Sequence, residues 1–269
     1  MKKIRNIESS NSKELNILTY IIIIESLIAS IVLLFFLNDY DPRASIFGYY
    51  LPSKWARSFT FIMKCNFYYM VYPCATNLLA LFYITLCLRC SKYIKYLTKE
   101  IQRCPPDGFD FSNQLNILTR KAHVDNIILD IQATLSLPVF FIIIANTLMF
   151  CSIIGWFLEK SWRSSDHFWK MESSFFVLNS VWCVTSVLWI SGGLPIEVSK
   201  FKQTFHRKTH ARCLVLKTLD EADLKRDLFY DEDSLMMGCD ILSYKRSTLF
   251  ALIGTVFTYT ILARNAELY

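Results

Sequence analysis

Nine cysteines, four histidines and a single carboxylate inside an apolar run are the side chains here whose type and spacing admit chemistry. His206 and His210 stand at i, i+4, the spacing that sets two imidazoles on one helix face for a metal. Between them lies Arg-Lys-Thr, which lacks the glutamate of an HExxH site and adds positive charge against a cation. Cys87 and Cys90 read Cys-Leu-Arg-Cys, half of a zinc or redox motif with no second half at ligand spacing. They read as ordinary cysteines at a helix end or as a site of juxtamembrane acylation. No nucleophile elbow and no phosphate-binding glycine loop occurs. The expectation is no enzyme, no catalytic residue, no metal and no cofactor. Glu25 is the carboxylate in the apolar run. A charge at mid-bilayer costs ~2.5–3.5 kcal/mol, so Glu25 must face protein or water. Two readings stay open: it lines a ligand or ion path, or it is protonated and bonded to a neighbouring helix. Asn77, Asn146 and Asn179 occupy other apolar runs. Interhelical hydrogen bonding is the commoner role for such groups, and cavity lining is the other. Glu25, Asn146 and Asn179 are the candidate ligand or ion path.

The elements that must position these groups are apolar helices. Hydrophobic residues make up 53% of the 269-residue chain and charged residues 19%, and mean hydropathy is +0.30. A soluble domain carries about 25% charged residues, so composition points to the membrane. The net charge of +6 is too mild to call for nucleic acid, and lipid is the expected surrounding. Five stretches approach the ~20 residues a spanning helix needs: 16–37, 67–88, 135–158, 174–194 and 247–263. The first is too long for the apolar part of a signal peptide and reads as a retained anchor. The predicted fold is an all-α polytopic bundle of about five spans forming a single membrane domain, 1–269. Lys and Arg alternate between connecting segments: 1–15, 89–134 and 195–246 hold 21, and the other set holds 8. The positive-inside rule then places the N-terminus in the cytoplasm and the C-terminus outside.

In the first inner loop, 89–134, Cys104-Pro105-Pro106-Asp107-Gly108 predicts a helix stop, and Ser112 a cap for a helix that feeds the third span. In the second, 195–246, Leu214, Leu216, Leu219 and Leu224 fit an amphipathic helix loosely. It is either a solvated helix face or a helix that meets a neighbouring subunit below the membrane. Tyr40, Tyr49, Tyr50, Trp55, Trp156, Trp162 and Trp169 fall near the outer ends and read as interfacial residues, with pocket entrance as a second role.

The last span carries a motif. Residues 247–265 read STLFALIGTVFTYTILARN. Thr258 and Tyr259, the run Thr260–Ala263 and Asn265 resemble the final transmembrane helix of arthropod gustatory and odorant receptors, where a Thr-Tyr pair, an apolar run and Gln-Phe recur. Asn265 and Ala266 replace Gln and Phe, and Arg264 departs from the apolar pattern. Gly238–Leu249 looks like the family's preceding segment. Ile131-Gln132-Ala133-Thr134-Leu135-Ser136 resembles its Ile-Asn-x-x-Phe-Ser pattern, with Gln132 for Asn and Leu135 for Phe. The resemblance covers about residues 112–269. It implies a multi-pass plasma-membrane receptor for a small tastant or odorant, and a homo- or hetero-tetramer with related subunits. It also implies a cation pore lined by the last helix, with Thr258, Tyr259, Ile261, Leu262 and Asn265 in the pore-helix motif. The family has seven spans, and the five here map onto its last five. The alternatives are a metabotropic receptor, a transporter-like scaffold, or a shortened receptor that does not conduct.

Overall fold

The structure, a computed structural model, describes residues 2–35, 53–159, 167–216, 237–238, 242–243 and 246–266. Among the described residues the regular structure is helical apart from one antiparallel pair, β1 (Met237–Gly238) and β2 (Leu242–Ser243). Its helices are α1 (Lys2–Phe35), α2 (Lys54–Tyr69), α3 (Ala75–Arg103), α4 (Phe111–Glu159), α5 (His167–Ser191), α6 (Gly193–Leu216) and α7 (Arg246–Ala266). Among the described residues, four helical stretches are long and apolar enough to cross a membrane: Leu15–Leu33, Lys54–Arg103, Phe111–Phe157 and His167–Cys213. Helix α7, Arg246–Ala266, contains the apolar run 247–263.

The helices overrun the spans expected from hydropathy. At about 1.5 Å per residue, the 49 residues of α4 extend about 74 Å, more than twice a ~30 Å hydrocarbon layer. The expected inner loop 89–134 is therefore mostly helix, broken only between Arg103 and Phe111. The Pro105-Pro106 turn stops α3 there, and Phe109 N–H donates to the Pro106 carbonyl at 3.3 Å. Ser112 is not the cap. Asp110 Oδ1 accepts from the Asn113 N–H at 2.9 Å, the N-cap geometry, and Ser112 already lies inside the first turn. The expected loop 195–246 is corrected as well, since α6 runs to Leu216. Leu214 and Leu216 end that helix, and Leu219 and Leu224 lie outside the described residues.

Pro73 interrupts the second span. Between α2 and α3 the backbone widens into a π-helical turn, Met70–Cys74, with a cis Tyr72–Pro73 peptide. Tyr72 leaves helical geometry at φ −147°, ψ 119°. Proline has no N–H to give the preceding turn, and the residue before it is disfavoured in the α region.

Two compact units can be distinguished. The second comprises residues 83–140 and 186–251. Within it, burial recurs at alternating steps of three and four along three helices. Tyr83, Cys87, Cys90, Ile94, Leu97 and Ile101 form the stripe on α3. Ile117, Lys121, Val124, Ile128, Ile131 and Leu135 continue it on α4, and Leu194, Val198, Phe201 and Phe205 on α6. A 3–4 stripe is the pattern by which helices bury one face against neighbours. Cys87 and Cys90 thus belong to a packed face, buried away from acylation. Arg120 ties α4 to α3, with Nη1 2.9 Å from Glu100 Oε1 and its guanidinium over the Tyr96 ring. The Phe109 carbonyl accepts from Gln114 Nε2 at 3.1 Å and from Arg212 Nη1, so α6 also grips the α3–α4 turn. Arg246, opening α7, lies 4.3 Å from the centre of the Trp189 ring.

The first unit comprises residues 1–82, 141–185 and 252–269. Its core is Leu33, Phe61, Cys65, Tyr69, Phe168 and Phe176, with Ala29, Met149 and Ile153 packed against it. Of the expected interfacial residues, Trp55 is exposed and stacks on Phe59, and Trp156 packs beside Trp169. Tyr40, Tyr49, Tyr50 and Trp162 lie outside the described residues.

Candidate functional site

The first unit holds a cavity of about 220 Å³ between α1 and α5. Helix α1 lines it with Glu25, Ile28, Ala29, Val32 and Leu33. The first four fall at i, i+3, i+4 and i+7, so a single helical face presents a carboxylate followed by apolar side chains. Helix α5 lines the other side with Met171, Glu172 and Phe175, and the cavity is half open, with Ile28 and Met171 exposed. Two carboxyl groups therefore share one largely apolar chamber.

Glu172 is held from outside the chamber. The Tyr69 hydroxyl donates to Glu172 Oε1 at 3.3 Å, and Lys64 lies within electrostatic range of the same carboxylate. Tyr69 is in turn fixed by its ring, with Phe175 at 5.5 Å and Phe176 at 5.7 Å between centroids. Its carbonyl accepts from Ser26 Oγ at 3.5 Å, which ties α1 to the end of α2. Glu25 has no hydrogen bond or ion pair among the described residues. It is exposed in the single chain, facing the chamber and its mouth.

A second polar cluster lies in the same unit. The Tyr72 hydroxyl donates to Asn146 Oδ1 at 3.2 Å, and Asn146 Nδ2 reaches the Ile142 carbonyl at 2.8 Å and Cys183 Sγ at 3.8 Å. Asn77 Nδ2 donates to Asn179 Oδ1 at 2.6 Å, and the buried Asn179 Nδ2 has no partner among the described residues. Asn146 and Asn179 thus join helices, the commoner of the two expected roles, and neither lines the cavity that Glu25 lines.

Sequence reading missed Glu172 because it lies two residues before the expected span. The helix begins five residues earlier still, at His167. It also missed Tyr69 and Tyr72, whose roles depend on the turn at Pro73. A proline inside an apolar run was the available signal.

In α7, Thr258 Oγ1 donates to the Gly254 carbonyl at 2.9 Å, satisfying the hydroxyl within its own helix. Tyr259 and Leu262 are 63% and 62% exposed, and Phe250 and Ile253 are exposed as well. Ile261 and Asn265 continue the helix. On α6 the His206 and His210 rings lie 6.4 Å apart and face outward, and among the described residues no third His, Cys, Asp or Glu completes a metal-sized group.

No family model matches this sequence, and no curated protein matches it.

Proposed function

We propose that this chain is a gustatory-receptor-like chemosensory subunit of a ligand-gated cation channel in the plasma membrane. It crosses the bilayer about five times, with the N-terminus inside and the C-terminus outside. Four such subunits, identical or related, surround the pore. The observation that carries this reading is α7. It bears the Thr258-Tyr259 motif, and its large apolar side chains Phe250, Ile253, Tyr259 and Leu262 find little cover within their own chain. A helix of this kind awaits lipid or other helices, and the motif favours copies of itself. Ile261 and Leu262 would close a water column by dewetting, and ligand binding would favour the wider state. The Glu25–Glu172 cavity is the chamber for a small ligand.

The test is cysteine substitution at Tyr259 and Leu262 in a conducting assembly. Thiol reagents applied from outside should block current, and oxidation should cross-link neighbouring subunits. Unaltered current with both cysteines modified rejects the pore role.

A transporter-like reading has one specific observation in its favour, the interrupted helix at Met70–Cys74. Broken helices near the mid-membrane build transporter substrate sites. Substrate uptake without current would favour it.

A further inference from the structure

We propose that the Glu25–Glu172 cavity binds a small organic amine, with the ammonium on the carboxylates and an apolar body along α1. This rests on the reading of the chain as a small-molecule receptor and names the ligand class of that site. The first argument is charge. Glu25 sits in the apolar stretch Leu15–Leu33 with no cationic partner among the described residues, and an ionised carboxylate there needs a counter-charge. Glu172 has Tyr69 and Lys64 beside it, so Glu25 is the principal anchor and Glu172 the second.

The second argument is the rest of the lining. Ile28, Ala29 and Val32 on one side and Phe175 on the other offer carbon, not oxygen. A Ca²⁺ ion takes six to eight oxygen ligands, and this lining supplies side-chain oxygen only from two carboxyls. An alkylammonium needs only a carboxylate for its charge and an apolar wall for its body, and Phe175 is part of that wall.

The third argument is size. An apolar cavity of ~150 Å³ holds benzene. At about 220 Å³ this chamber takes an aromatic ring with a short aminoalkyl arm.

The experiment uses the full chain in lipid nanodiscs and calorimetric binding of three probes: phenethylamine, the uncharged 2-phenylethanol and the anionic phenylacetate. Wild type should bind phenethylamine at least about tenfold more tightly than 2-phenylethanol, the ratio expected of one charge-assisted hydrogen bond, and should bind phenylacetate least. Glu25→Gln should remove most of that ratio while leaving 2-phenylethanol binding unchanged, which also shows that the variant folds. Glu172→Gln should remove a smaller part. Equal affinity for amine and alcohol in wild type overturns the proposal, as does a ratio that survives both substitutions, or no binding of any probe. Binding is read without current. Amine binding to an assembly that never conducts overturns the channel reading alone, and currents evoked by ligands indifferent to Glu25 overturn this inference alone.

Discussion

Tyr69 is the joint on which the candidate site turns, and its two halves can be removed separately. The residue is fully buried. Tyr69→Phe deletes only the hydroxyl that holds Glu172 at 3.3 Å. Interhelical hydrogen bonds in membrane proteins average about 0.6 kcal/mol and reach about 1.7 kcal/mol. At 3.3 Å the bond is longer than the usual O–H···O distance, so a loss of about 0.6–1 kcal/mol is expected. Tyr69→Ala also removes the ring. Roughly 100 Å³ of side chain disappears, and at about 24 cal/mol per Å³ of unfilled cavity this costs about 2.4 kcal/mol. The lost edge and tilted contacts with Phe175, Phe176 and Tyr68 add at least one aromatic-pair increment of about 0.5–1.5 kcal/mol. The expected total is about 3–4 kcal/mol, some fourfold the cost of Tyr69→Phe. Equilibrium unfolding in mixed micelles with increasing dodecyl sulfate, followed by tryptophan fluorescence, measures both. A double-mutant cycle of Tyr69→Phe with Glu172→Gln should return a coupling within the range of one interhelical hydrogen bond. Equal costs for the Phe and Ala variants, or no coupling to Glu172, would refute the assignment of Tyr69 as both core and positioning residue.

Two further outcomes are expected. Phe205 is buried, edge-on to Phe109 at 5.4 Å and stacked on Phe201 at 6.1 Å, so Phe205→Ala should destabilise the second unit by about 3–5 kcal/mol, read as protease sensitivity between α3 and α6. Asn179→Leu alone should cost about 1–3 kcal/mol by stranding Asn77, whereas the Asn77→Leu, Asn179→Leu pair should be near neutral or stabilising in the same micelle titration, because the pair also removes the unpartnered Asn179 Nδ2.

The helical character and its apolar runs were legible from composition and spacing alone, because lipid leaves a backbone no other partner and hydropathy integrates over twenty residues. The stop at Arg103 was legible from Pro105, Pro106 and Gly108 for a local reason, since backbone torsion limits act on neighbouring residues. The extension of α4 and α6 beyond the apolar runs was not visible by hydropathy. The halves beyond the apolar runs are charged, and they carry a buried 3–4 stripe that a hydropathy average dilutes. Asp110 displaced Ser112 as the cap because the choice depends on which backbone first turns helical. Glu25 stood out in sequence as a lone charge among apolar residues.

That Glu25 shares a chamber with Glu172, while Asn146 and Asn179 do not line it, belongs to the tertiary structure. Glu172 lies 147 positions along the chain from Glu25, and Tyr69 meets it only because α2 ends where the chain turns into Pro73. One-dimensional spacing reports which face of a helix a residue occupies. Which faces meet is decided by packing among helices far apart in sequence, where each pairing competes with all the others.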